Sequence, residues 1–131
     1  MIVVDSSALI AILFDEPERQ SFRDIIISGE RCVASAVNVH ETASVLRVRS
    51  GAAAVERLWQ FIDDTGMEII PFDEAQVRAA AVAFGRYDKG IDSKARLNLA
   101  DCVADALAKT LNAPLLFKGN DFAQTDLQSH R

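Results

Sequence analysis

Cysteine and histidine are scarce, with Cys32 and Cys102, His40 and His130 making up the whole supply. The two cysteines have no metal-ligand spacing and flank no tight loop. They read as small buried hydrophobes in a reducing compartment, not as a disulfide or part of a zinc site. No segment approaches the roughly 20 apolar residues of a membrane-spanning helix, and no basic stretch followed by a long apolar run opens the chain. A cytoplasmic protein is the expectation. Linkers, repeats and low-complexity tracts are also missing, which leaves one domain over residues 1–131. Positive charge is in deficit, with 14 Lys and Arg against 19 Asp and Glu and a formal net charge of -5. An acidic chain is an awkward partner for a nucleic acid unless basic residues gather locally or a bound cation changes the sign of the site.

What is present is a chain half apolar and one quarter charged, ordinary for a folded protein. Ile2, Val3 and Val4 form an all-apolar run of the kind a strand buried on both faces shows, and it stops abruptly at Asp5-Ser6-Ser7. Ser6 or Ser7 can cap a helix beginning at Ala8, and Pro17 suits the first turn of a second helix built on Phe22, Ile25 and Ile26. A strand over 32–34 follows. Ser35 caps a helix over 36–49 whose stripe runs through Ala36, Val39, Ala43 and Leu46. The next helix, over 52–64, sets Val55, Leu58, Trp59 and Ile62 on one face, with Trp59 in the core or at a subunit contact, and Gly66 stops it. A strand over 67–72 is interrupted late by Pro71. Asp73 caps a helix with Val77, Ala80, Ala81 and Phe84 inward, and Asn98 caps another over 99–111 with Leu99, Cys102, Val103, Ala106 and Leu107 inward. A last strand covers 114–117. Strands alternating with helices predict an α/β fold, a short and mainly parallel sheet with helices on both faces.

In such a sheet every strand-to-helix junction lies at one edge. Asp5 and Asp121 follow strands directly, while Glu41, bracketed by Val37 and Val45, and Asp101 lie in helices near that edge. Two like charges about 5 Å apart repel by roughly 3 kcal/mol at an effective dielectric of about 20, so four clustered carboxylates require protons or cations. Oxygen ligands without a nearby thiolate favour Mg²⁺ or Mn²⁺ over Zn²⁺. A metal held this way can activate water and neutralise a phosphodiester oxygen, and it answers the objection raised by the net charge. Arg86, Lys89, Lys94 and Arg96, with Tyr87 among them, form the best basic patch and could touch phosphates.

The motifs Ile2 to Leu9, Glu41 after the second strand, Leu97 to Cys102, and Pro114 to Phe122 with Thr125-Asp126 together resemble a PIN-domain ribonuclease. More narrowly, the chain resembles the VapC toxins of bacterial toxin–antitoxin pairs over essentially its whole length. The resemblance implies a PIN-like three-layer sandwich and a Mg²⁺-dependent endoribonuclease, usually a homodimer, held inactive by a VapB-like antitoxin whose C-terminal segment occupies the acidic groove. Asp5 and Asp101 would be the principal metal ligands, Glu41 and Asp121 would complete the site directly or through water, and Ser6, Asn98 and Thr125 would orient the carboxylates. This chain departs from many relatives at Leu99-Ala100, where Phe-Gly is common, and at Gly90 to Ser93, where a Gly-Arg-His stretch is common. Asp105 stands where an aromatic or neutral residue is expected, so it either adds an outlying carboxylate or pairs with Lys109.

Other readings are weighed against the same residues. A haloacid-dehalogenase type phosphotransferase with Asp5 as nucleophile wants a second acid where Ser7 stands. A receiver-like binding domain needs its acid after a central strand near mid-chain, where only Asp73 is available. A degenerate PIN scaffold that binds RNA or an antitoxin without cutting would bind Mg²⁺ weakly or not at all.

Overall fold

The computed structural model describes residues 1–87 and 99–119, with backbone only at residues 86 and 87. Along the chain run β1 (Ile2–Val4), α1 (Ser6–Leu13), α2 (Arg19–Ile26), β2 (Cys32–Ser35), α3 (Ala36–Ser50), α4 (Ala52–Thr65), β3 (Glu68–Ile70), α5 (Glu74–Tyr87), α6 (Leu99–Leu111) and β4 (Leu115–Leu116). The strands form one parallel sheet in the order β3-β2-β1-β4. Val3 sits opposite Val33 on one side and Leu115 on the other. β1 is therefore central, and all three of its side chains are fully buried.

Alternation along the strands splits those side chains between two cores. Ile2, Val4, Cys32, Ala34 and Leu116 join Leu9 and Ile12 of α1, Phe22 of α2, Leu46 of α3 and Leu58 and Phe61 of α4. Val3, Val33 and Leu115 point the opposite way, into a second core with Ala80 and Ala83 of α5 and Val103 and Leu107 of α6. This is the predicted three-layer arrangement, helices on both faces of a sheet. β3 is shorter than its apolar run and exposes Glu68 and Ile69. Pro71, lacking an N–H, follows its end.

Several helices are turned relative to the faces read from spacing. α5 buries Gln76, Ala80 and Ala83, leaving Val77 and Phe84 outside. Small alanines let α5 approach α6 closely, and Gln76 Nε2 donates to Thr110 Oγ1 across the gap at 3.1 Å. On α3 the inward residues are Asn38, Val39, Thr42 and Leu46, so Ala43 only edges the core and Ala36 is half-buried. α6 leaves Leu99 at its exposed start and buries Asp105. Trp59 is 38% exposed and outside both cores, whereas Phe61 of the same helix is inside. α2 begins at Arg19, so Pro17 precedes the helix. Gly66 ends α4 in the left-handed conformation, φ 69°, as its position after the helix requires.

Because every pairing is parallel, the carboxyl ends of the strands share one edge. The chain steps outward from β1 to β2 to β3, then returns to the other side of β1 as β4. Strand order reverses between β1 and β4, which is where open α/β sheets leave a crevice for ligands.

Candidate active site

Asp5 leaves the end of β1 at that reversal, its backbone N–H donating to Leu116 O of β4 at 3.0 Å. It is itself the cap of α1: in an extended conformation, its Oδ2 accepts the Ser7 N–H at 3.0 Å. The helix consequently starts at Ser6, two residues before the start expected from a serine cap. Oδ2 also accepts the Ser7 hydroxyl at 2.6 Å, and Ser7 Oγ accepts the Lys118 backbone N–H at 2.9 Å. Oδ1 has no hydrogen-bond partner among the described residues, although Asp5 is only 2% exposed.

Burial pushes the Asp5 carboxyl up from 3.8 to about 6. The Ser7 hydroxyl and the backbone N–H groups of Ser7 and Ser6 hold it down, and the charge of Glu41 adds a smaller upward push. Glu41 lies half-buried in the second turn of α3, and the Ser6 hydroxyl donates to its Oε1. The acid bracketed by valines is thus a half-buried carboxylate and not an exposed one.

Asp101 occupies the first turn of α6 and is also half-buried. The residue before it is fastened to α3, because Asn38 Nδ2 donates to Ala100 O at 3.1 Å. Asn38 is fully buried one turn before Glu41, and Thr42 Oγ1 donates to its carbonyl at 2.8 Å. Among the described residues no group of three His, Cys, Asp or Glu could hold a metal ion. Asp5 and Glu41 are in direct electrostatic contact. Asn98, Asp121, Thr125, Lys89, Lys94 and Arg96 lie outside the described residues, as does the side chain of Arg86. Asp105 is fully buried and pairs with Lys109 at 3.5 Å.

The donor set suits a hard divalent cation. It offers a buried carboxylate oxygen without a donor and a second carboxylate nearby, all through oxygen. Both cysteines are reduced and buried, as expected, with Cys32 in one core and Cys102 in the other. Spacing alone had not singled out Ser7, Asn38 or Thr42. Ser7 had one available sign, since a hydroxyl two residues after an aspartate is placed for a local side-chain turn. Asn38 and Thr42 are poor helix formers inside a helix, which asks for a tertiary reason.

The PIN domain family profile matches residues 2–127. The chain belongs to the PIN-domain family. Its relatives within that family include Ribonuclease VapC42 of Mycobacterium tuberculosis, 33% identical over 126 residues and 96% of each chain. Ribonuclease VapC of Mycolicibacterium smegmatis is 37% identical over 125 residues, 95% of this chain and 96% of the relative. The VapC resemblance seen in the motifs therefore holds over the length of this PIN domain. Among solved structures, the M. tuberculosis VapC20, described as a sarcin–ricin loop cleaving toxin, superposes with a TM-score of 0.82 at 16% identity. That comparison covers 100% of this chain and 99% of the other. VapBC2 from Rickettsia felis, bound to a DNA fragment from its promoter, gives 0.74 at 12% identity, covering 99% and 98%. At such identities these two comparisons show the fold alone.

Proposed function

We propose that this PIN domain, acting as one unit over residues 1–131, is a metal-dependent endoribonuclease and the toxin of a toxin–antitoxin pair. The observation that carries the reading is the buried Asp5 carboxylate, one oxygen without a partner among the described residues, beside Glu41 at the strand-order reversal of a VapC-related chain. Asp5 and Asp101 hold the metal, Glu41 and Asp121 complete the acidic site directly or through water, and Ser6, Asn98 and Thr125 orient the carboxylates. When bound, Mg²⁺, for which Mn²⁺ can substitute, supplies a water of lowered pKa and a positive charge against a phosphodiester oxygen. The protein's own contribution is placement. Ser6 steadies Glu41, Asn38 ties the turn bearing Asp101 to the helix bearing Glu41, and the basic residues Arg86, Lys89, Lys94 and Arg96 attract the phosphate backbone. Hydrolysis then needs no covalent enzyme intermediate.

A VapB-like antitoxin covers the acidic groove in the resting complex, a reading supported by toxin–antitoxin complexes among the structural neighbours. The outward apolar residues of α5, Val77, Val82 and Phe84, support a homodimer. Cytoplasmic placement agrees with the lack, among the described residues, of a helix long and apolar enough to cross a membrane.

The test is RNA cleavage in Mg²⁺ by protein freed of any antitoxin, compared with Asp5→Asn and Asp101→Asn. Cleavage by the parent alone is the expected result, and equal activity in all three would refute it. A scaffold that binds without cutting is favoured by the lack of a three-ligand group among the described residues. Mn²⁺ titration of the parent separates the two, since the scaffold predicts weak or absent binding.

A further inference from the structure

We infer that Ser7 is a positioning residue that reserves one oxygen of Asp5 and leaves the other to the metal, making Asp5 a monodentate ligand through Oδ1. The inference rests on the reading of Asp5 as a metal ligand, and it adds a residue and a binding mode to that reading.

A serine hydroxyl has one proton to give and lone pairs to receive. The Lys118 N–H points at Ser7 Oγ at 2.9 Å and can only donate, so Oγ is the acceptor in that contact. The hydroxyl proton is then available for Asp5 Oδ2, 2.6 Å away, which already accepts the Ser7 N–H at 3.0 Å. Direction is therefore set along the whole chain of bonds, from the peptide leaving β4, through Ser7, to Asp5. Two donors from one residue engage Oδ2, a charge-assisted arrangement stronger than a neutral pair. They also fix the carboxylate plane, because Asp5 is anchored at its own N–H to Leu116 O of β4.

Oδ1 is left buried and, among the described residues, without a hydrogen-bond partner. A metal that took both oxygens would have to compete with two donors at Oδ2, whereas one that took Oδ1 alone meets an oxygen that accepts no hydrogen bond among the described residues. Lys118 is held from its other end as well, its ammonium reaching Glu16 Oε1 at 2.8 Å and Glu18 Oε1 at 3.4 Å. The peptide that orients Ser7 is thus fastened on both sides. Ser6, the adjacent serine, serves Glu41, so the two serines divide the two acids between them.

The experiment is calorimetric titration of the antitoxin-free chain with Mn²⁺ alone, for the parent, Ser7→Ala, Ser7→Thr and Asp5→Asn, with thermal melting of each metal-free protein as the fold control. Loss of an orienting group of this kind costs about 10-fold to 100-fold in metal affinity. The expected pattern is that loss in Ser7→Ala, near-parental affinity in Ser7→Thr, which keeps the hydroxyl, and none in Asp5→Asn. Parental affinity in Ser7→Ala together with loss in Asp5→Asn overturns the role of Ser7 while Asp5 stays a ligand. Parental affinity in Asp5→Asn instead overturns the reading of Asp5 itself. Should Ser7→Ala melt far below the parent, infrared difference spectra of the parent with and without Mn²⁺ decide the binding mode. A metal-induced carboxylate band, absent in Asp5→Asn, with a widened gap between its two stretches supports Oδ1 alone, and a narrowed gap overturns it.

Discussion

Ser6 and Glu41 are joined side chain to side chain across 35 residues of sequence, the serine hydroxyl donating to the glutamate Oε1. This contact fastens the first turn of α1 to the second turn of α3 at the sheet edge where Asp5 emerges. A hydrogen bond to a charged, half-buried acceptor contributes about 2 kcal/mol. Ser6→Ala should lose roughly that much in urea denaturation and about tenfold in Mn²⁺ affinity, while Ser6→Thr keeps both. Unchanged affinity in Ser6→Ala would show that Glu41 keeps its place without help.

Asp5 makes the metal-free fold sensitive to mild acid in an unusual direction. Its folded pKa of about 6 lies above the ordinary 3.8, so the fold prefers the protonated acid. The stability this group contributes is fully present below pH 3.8 and is lost as pH rises through 6. Two units of separation correspond to about 3 kcal/mol. Metal-free Asp5→Asn should therefore be the more stable protein at pH 8, with an amide that still caps α1. Added Mn²⁺ should reverse the order by stabilising only the parent. A metal-free variant less stable than the parent at pH 8 would contradict the cost assigned to the buried charge.

Asn38 carries a fully buried amide whose partner is the Ala100 carbonyl. Removing it in Asn38→Ala leaves that carbonyl short of a donor and should cost about 1–3 kcal/mol in chemical denaturation. Asn38→Asp places an ionisable group in the same enclosure, and its loss should be larger at pH 8 than at pH 5. Equal losses at the two pH values would mean that the position is open to water.

Lys118 draws its pairing energy from the short hydrogen bond to Glu16, with Glu18 adding charge, and its pKa rises accordingly. The contribution is present below the ordinary lysine value of 10.5 and disappears as pH climbs above it. At neutral pH and low salt, Lys118→Met should melt below the parent, and 1 M NaCl should erase the difference by screening. A deficit that survives high salt would point to lost packing of the aliphatic stem instead.

Much of the architecture was legible because burial on both faces writes itself into a strand. Ile2 to Val4 is apolar throughout, and the structure makes it the central strand, while the bounds of α6 fall where the pattern placed them. Helix faces were less legible. Val77 and Phe84 have the spacing of a core stripe and lie outside, because Ala80 and Ala83 allow a closer approach to α6 and hydrophobicity alone does not register closeness. Asn38 lies off the stripe of Ala36, Val39, Ala43 and Leu46 that spacing marks. It is buried because an amide can satisfy a carbonyl on another helix.

Residue order by itself determined that an acid would stand at the end of a buried strand, and that a second would sit between two valines on the helix after the next strand. Short-range rules suffice for this, since apolar runs, turn residues and helical spacing are local properties. Only the tertiary structure decided that Ser7 serves Asp5 and Ser6 serves Glu41, that Asn38 fastens α3 to α6, and that one oxygen of Asp5 has no partner among the described residues. Which donor meets which acceptor depends on directions within about an ångström between segments distant in sequence. Those directions come from the packing of two cores against a sheet, which no local pattern encodes.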